Sequence, residues 1–172
     1  MKRSKQGRSP RCVDPGDWPG RSSRRRVLVE NPDLADLWAH AEILREAGYD
    51  VATCTGPATG QSSVPMFQRG SLAVEDAEPM RVEGRTLCPL VAEERCPLVE
   101  EADVVITTTA LADGRGILAA HSSKGQAALV VEGTSSTLGR DSDVIGDATV
   151  IEQPVTQERL LAAVAEAIVS TP

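Results

Sequence analysis

Short apolar runs alternate with segments of helical period along most of the chain. Arg26-Val-Leu-Val29 is apolar at consecutive positions, the pattern of a strand buried on both faces. Asp33 then stands as an N-cap before a helix predicted from Leu34 to Ala47, in which Leu34, Leu37, Trp38, Ala41, Leu44 and Arg45 keep helical spacing. Gly48 closes it as a C-cap, and Tyr49 to Thr53 reads as a second strand after a short connection. Further strands are predicted at Asp103–Thr108, Ala127–Glu132 and Ala148–Ile151. A helix that begins at Ile117 to His121 and ends near Lys124-Gly125 separates the first two of these. Beyond Gly133-Thr-Ser-Ser-Thr137 the pattern is poorly periodic. The last helix is capped at Thr156, with Glu158 close behind, and takes its apolar stripe from Leu160, Leu161, Val164, Ile168 and Val169. Five strands alternating with helices, wound by right-handed crossovers, predict an α/β fold: a doubly wound five-stranded parallel sheet covered on both faces.

One segment breaks the alternation. From about 55 to 100 the chain carries Gly-Pro and Gly-Gln-Ser-Ser stretches and scattered charges, read as an irregular insertion. Inside it two octapeptides repeat a pattern, Cys88-Pro-Leu-Val-Ala-Glu-Glu-Arg95 and Cys96-Pro-Leu-Val-Glu-Glu-Ala-Asp103. Each Pro suits the first position of a short helix with the preceding Cys at the cap. Continuous helix would leave the two thiols about 80° apart around the axis and about 12 Å apart along it, so they meet only if Pro97 breaks the chain between them.

Composition narrows the picture. At 172 residues, with one Phe, one Tyr and two Trp, the chain is expected to form one domain whose core is Val, Leu, Ile and Ala. Residues 1–26 hold nine Lys and Arg against Asp14 and Asp17, a net of +7, which leaves −14 of the total of −7 for the remainder. An acidic body repels a phosphate backbone, so no specific nucleic-acid partner is expected. The Pro-, Gly-, Ser- and Arg-rich residues 1–25 read as a basic disordered leader ahead of a domain at 26–170. No apolar run approaches the ~18 residues of a membrane helix, and no apolar stretch follows the basic leader as in a signal peptide. The expected location is cytoplasmic, where Cys12, Cys54, Cys88 and Cys96 are thiols by default.

The chain resembles the receiver domains of two-component response regulators. The likeness rests on Val27-Leu-Val-Glu-Asn-Pro-Asp-Leu34, Leu44-Arg-Glu-Ala-Gly-Tyr-Asp-Val51, Ala102-Asp-Val-Val-Ile106 and Gln153-Pro-Val-Thr-Gln-Glu-Arg-Leu-Leu161, and on their order and spacing. It implies a flavodoxin-like sheet of strand order 2-1-3-4-5. Receivers hold Mg²⁺ with a carboxylate pair after the first strand and phosphorylate an Asp at the end of the third. A Ser or Thr after the fourth strand and a Lys before Pro after the fifth complete the site. Metal and Lys neutralise the phosphoryl group during in-line transfer. By this alignment the site is degenerate: Glu30 fits the first acid and Asn31 takes the second, Thr108 stands at the phosphoacceptor position, Thr134 or Ser135 supplies the hydroxyl, and Gln153 replaces the Lys. A threonine cannot form an acyl phosphate. The resemblance therefore implies a pseudo-receiver, a non-catalytic regulatory module that acts by protein contact or as a homodimer.

Glu30, Asn31, Cys54, Thr108, Thr109, Thr134 and Gln153 are all placed at the carboxyl ends of the strands, where open α/β sheets bind ligands. They read either as a rim for a small molecule or cation or as groups satisfying the backbone. Cys54, Cys88 and Cys96 read as buried apolar thiols, as a disulfide or redox pair, or as ligands of zinc or an iron–sulfur cluster in a sensor. No cofactor is otherwise implied. Gly114-x-Gly116-x-x-Ala119 follows the third strand rather than the first and reads as a loop glycine, not a dinucleotide fingerprint. Asp141, Asp143 and Asp147 lack the glycine and terminal Glu of a calcium loop and read as a solvated acidic loop. The two histidines, His40 and His121, pair with no visible nucleophile, and no enzymatic activity is assigned.

Overall fold

The computed structural model of the chain describes residues 18, 23–56, 90, 95–111, 114–124 and 127–170. Five parallel strands form one sheet in the order β2-β1-β3-β4-β5: β1 is Arg26–Glu30, β2 Asp50–Cys54, β3 Val104–Thr108, β4 Ala128–Gly133 and β5 Thr149–Glu152. Register runs Val27↔Val51, Val27↔Val104, Thr108↔Glu132 and Glu132↔Ile151, so the carboxyl ends of all five strands share one edge. Between and after them lie α1 (Leu34–Glu46), α2 (Pro97–Glu101), α3 (Gly114–Lys124), α4 (Ser135–Arg140), α5 (Ser142–Ile145) and α6 (Gln157–Ser170). The predicted α/β class, the parallel sheet and its order are those observed.

Local chemistry explains the element ends. Asp33 caps α1 as expected, its carboxylate accepting from the Ala35 and Asp36 amides at 2.8 and 3.2 Å. Such a cap is worth about 1 kcal/mol. Ala47 is the C-cap, one residue before the predicted Gly48, and Gly48 takes the left-handed turn at φ +92° that a Cβ would oppose. Cys96 is the N-cap of α2 with Pro97 at the first helical position, as the second octapeptide predicts. The first octapeptide's Cys88 lies outside the described residues, as do most of the insertion and, apart from Trp18 and residues 23–25, the leader.

The sheet separates two apolar layers. Val27, Val29, Val104, Ile106 and Val130 face α1 and α6, whereas Leu28, Ala52, Cys54 and Val105 face α2 and join Trp18 and Leu90. Leu118, Val131 and Ile145 form a third cluster with α3 and α5.

Five expectations are corrected. The buried stripe of α1 is Leu37, His40, Ala41 and Leu44, while Leu34 and Trp38 stand 57% and 55% exposed. Ion pairing at His40 rotates this face away from the most apolar one. The last helix buries Leu160, Ala163, Val164 and Ala167, leaving Val169 at 85% exposed, because small alanines let α6 close on the sheet. Helix α3 begins at Gly114, earlier than Ile117, and the poorly periodic stretch after β4 folds into two short helices, α4 and α5. Asp141 is not solvated: it is 4% exposed, and Arg115 and Arg140 reach it at 3.5 and 3.0 Å.

Candidate functional site

The carboxyl edge of the sheet is crowded with polar side chains, and their alternation along each strand assigns them to opposite faces. Glu30 ends β1, is 6% exposed, and lies 2.9 Å from His121 Nε2 of α3. On the other face Glu132 of β4 is 1% exposed and its Oε1 lies 3.2 Å from His40 Nδ1 of α1. The chain's two histidines thus each meet a buried glutamate, one pair per face.

The pairs differ in geometry. His121 and Glu30 are aligned as a hydrogen bond. His40 and Glu132 are within ion-pair distance, yet the line between them is off-axis, and neither Nδ1 nor Oε1 has an aligned hydrogen-bond partner among the described residues. Their attraction combines charge with a polar contact that falls short of a well-aligned hydrogen bond. Burial disfavours a charged imidazole at His40 and is the largest single influence, but Glu132 and then Asp36, one turn earlier on α1, together outweigh it and hold the pKa above the ordinary 6.5.

Between these pairs lies the run Thr107-Thr108-Thr109. Thr108 is 1% exposed, stands opposite Glu132 in the sheet register, and its hydroxyl accepts from the Ala110 amide at 3.2 Å. Thr107 is fully buried and its hydroxyl has no hydrogen-bond partner among the described residues. Thr109 donates to Thr137 at 2.8 Å. Thr134 caps α4 in a reciprocal capping box with Thr137, and Ser135 donates to Glu152. A Cβ on Gly133 would sit 2.7 and 2.8 Å from the Thr109 and Thr137 hydroxyls, so only glycine lets the end of β4 pass this close.

Asn31 is buried and its Oδ1 accepts from the Asp33 amide at 2.9 Å, which shapes the turn into α1. Gln153 is exposed on the segment after β5 and lines a cleft with Asp36, His40, Glu132, Pro154 and Val155. Cys54 and Cys96 are each 6% exposed in the same apolar cluster, and Cys54 Sγ accepts from the Gly56 amide at 3.4 Å. Among the described residues no group of three or more His, Cys, Asp or Glu side chains is placed to hold a metal ion. Gly114 is the first residue of α3, where a Cβ would meet the Thr109 carbonyl at 3.2 Å.

The edge thus brings Glu30, Asn31, Thr108, Thr134 and Gln153 to the ends of successive strands, where their spacing puts them. Sequence reasoning named His40 and His121 but missed Glu132 and the pairing of each histidine with a buried glutamate. A carboxylate ending the apolar run Ala128-Leu-Val-Val-Glu132 was the available signal, since a buried acid needs a partner and the chain has only two histidines.

No protein-family model matches the sequence, and no curated protein matches it. The fold is similar to solved response regulator receiver domains. A CheY-like receiver from Methanospirillum hungatei superposes with a TM-score of 0.55 at 18% identity over 87% of this chain and 97% of that one. A receiver from Clostridium thermocellum gives 0.55 at 18% identity, covering 84% and 94%. One from Sinorhizobium medicae gives 0.51 at 13%, covering 87% and 98%. The likeness is one of fold. Among the described residues no helix is long and apolar enough to cross a membrane.

Proposed function

We propose that this receiver-like domain is a phosphorylation-independent regulatory module of a signalling system, working by contact with a protein partner rather than by catalysis. The observation that carries the reading is the state of Thr108. At the end of β3, where the receiver resemblance puts the phosphoacceptor, stands a buried threonine whose hydroxyl already caps the following turn. The rest of the edge agrees with it. Glu30, the position of the first metal-holding acid, is buried against His121, Asn31 fixes a turn, and Gln153 supplies no positive charge. Phosphoryl transfer needs charge neutralisation that this set does not provide.

An output by contact is supported by α1, where Leu34 and Trp38, one turn apart, are both more than half exposed. Aromatic side chains at a surface are enriched in protein interfaces.

The test is incubation of the full chain with acetyl phosphate and Mg²⁺, followed by intact-mass measurement at neutral pH. No mass gain is expected, with or without Thr108→Asp. One phosphate on a carboxylate of the unaltered protein would overturn the reading.

A further inference from the structure

The two faces of the sheet are covered unequally. On one face α1 and α6 lay down helices of 13 and 14 residues, whereas the β1 and β2 end of the other face has α2, which is 5 residues long. The apolar layer there is completed by Trp18, which precedes β1, and by Leu90, which precedes α2; both are buried. Arg26, the first residue of β1, holds the indole at its rim. Its guanidinium lies 5.3 Å from the ring centre and also donates to Glu101 of α2, while its amide donates to Asp103 at 2.7 Å. Trp18, the start of β1 and the end of α2 therefore share one joint. In one respect the indole is poorly housed. Its Nε1–H is buried without an acceptor among the described residues, and such a donor regains a hydrogen bond to water when it leaves.

Two thiols belong to the same layer. Cys54 ends β2 and Cys96 is the N-cap of α2; both are buried, and neither is in a disulfide. We propose that Trp18 is an intramolecular plug: its indole seats in an apolar site between the sheet and α2, and its withdrawal opens that site and exposes Cys54 and Cys96. The site is built from Leu28 of β1, Ala52 of β2, Val105 of β3, and Leu98 and Val99 of α2. Aliphatic side chains from four elements form a seat suited to a flat aromatic body, and Arg26 adds the attraction of a cation for its ring.

A plug differs from an ordinary core side chain in that its loss acts locally. The opposite layer, with Val27, Leu37, Leu44, Ile106 and Leu160, shares no member with the layer that holds Trp18. With the indole withdrawn, the sheet keeps one complete face, and the opening is confined to α2 and the strand ends beneath it. The inference is independent of whether the domain accepts phosphate, since neither Trp18 nor either thiol stands at an aligned phosphoacceptor or acid position.

The test uses the full chain carrying Cys12→Ser and Cys88→Ser, so that a chromogenic aromatic disulfide reacts with Cys54 and Cys96 alone. Adding Trp18→Ala should speed that reaction at least about tenfold, because truncating a buried aromatic side chain shifts a local equilibrium by more than one decade. Indole added to the Trp18→Ala protein should slow the reaction again, saturably, by filling the vacated seat. Trp18→Phe, which leaves a smaller ring in place, should give an intermediate rate. Hydrogen exchange read by mass spectrometry should accelerate more over α2 and β2 than over α6. Equal thiol reaction in Trp18→Ala and its parent, an increase that indole does not reverse, exchange accelerated as much in α6 as in α2, or unfolding of Trp18→Ala together with parent-like reaction in Trp18→Phe would each overturn the inference.

Discussion

Replacing Thr107 by valine should stabilise the domain, against the usual direction of a core substitution. Thr107 is fully buried in β3, on the face it shares with Glu30, and its hydroxyl has no hydrogen-bond partner among the described residues. A hydroxyl carried into an apolar layer without a partner costs about 1–3 kcal/mol relative to water. Valine keeps the β-branched shape and strand preference and removes that cost. A methyl is bulkier than a hydroxyl, and in a close-packed layer the strain takes back part of the gain. The net expectation is about 1 kcal/mol of added stability, equivalent to an increase in Tm of about 2–4 °C for a domain of this size. Thr108→Val is the internal control, one residue away and equally buried. Its hydroxyl accepts from the Ala110 amide at 3.2 Å, so the same change should cost about 0.5–1.5 kcal/mol. Urea melts of the two variants and the parent, with unchanged slopes, measure the difference. If Thr107→Val loses as much as Thr108→Val, the Thr107 hydroxyl is satisfied in solution and the reasoning fails.

Three further outcomes are expected. Because the folded pKa of His40 lies above 6.5, its pair with Glu132 contributes stability that is complete below about pH 6.5 and is lost as pH rises through the raised value; melts from pH 5.5 to 8.5 should show the decline, and His40→Gln should flatten it. Gly133→Ala drives a Cβ to within 2.7 and 2.8 Å of the Thr109 and Thr137 hydroxyls and should cost about 1–3 kcal/mol by thermal melt, with recovery when Thr109→Ala is added to remove the nearer one. Asp33→Ala removes an acceptor for two amides of α1 and should cost about 1 kcal/mol, whereas Asp33→Asn should retain most of it.

Much of the fold was legible because its signals are local. Consecutive Val and Leu in Val27-Leu-Val29 and Val104-Val-Ile106 mark strands buried on both faces, and Asp33 and Gly48 bracket a helix through backbone chemistry that acts within a few residues. The errors fall where local preference met a tertiary demand. Trp38 is the larger apolar residue of its helix, yet His40 is the one buried, because Glu132 waits on β4 at a separation no period can register. In α6 the sequence favoured Val169 over Ala163 and Ala167, but close packing on the sheet needed the smaller side chains.

The candidate site divides in the same way. Order and spacing along the chain determined that Glu30, Asn31, Thr108, Thr134 and Gln153 gather at one edge, since parallel strands joined by crossovers bring every carboxyl end to the same side. The absence of a carboxylate in Thr107-Thr-Thr109 was equally a property of the sequence alone. Only the tertiary structure decided which groups meet across the layers: Glu30 with His121, Glu132 with His40, and Asp141 with Arg115 and Arg140. All of these but the Arg140–Asp141 contact join residues far apart in sequence, through strand alternation and helix rotation. Because burying a charge is tolerable only beside its partner, packing had to settle both together.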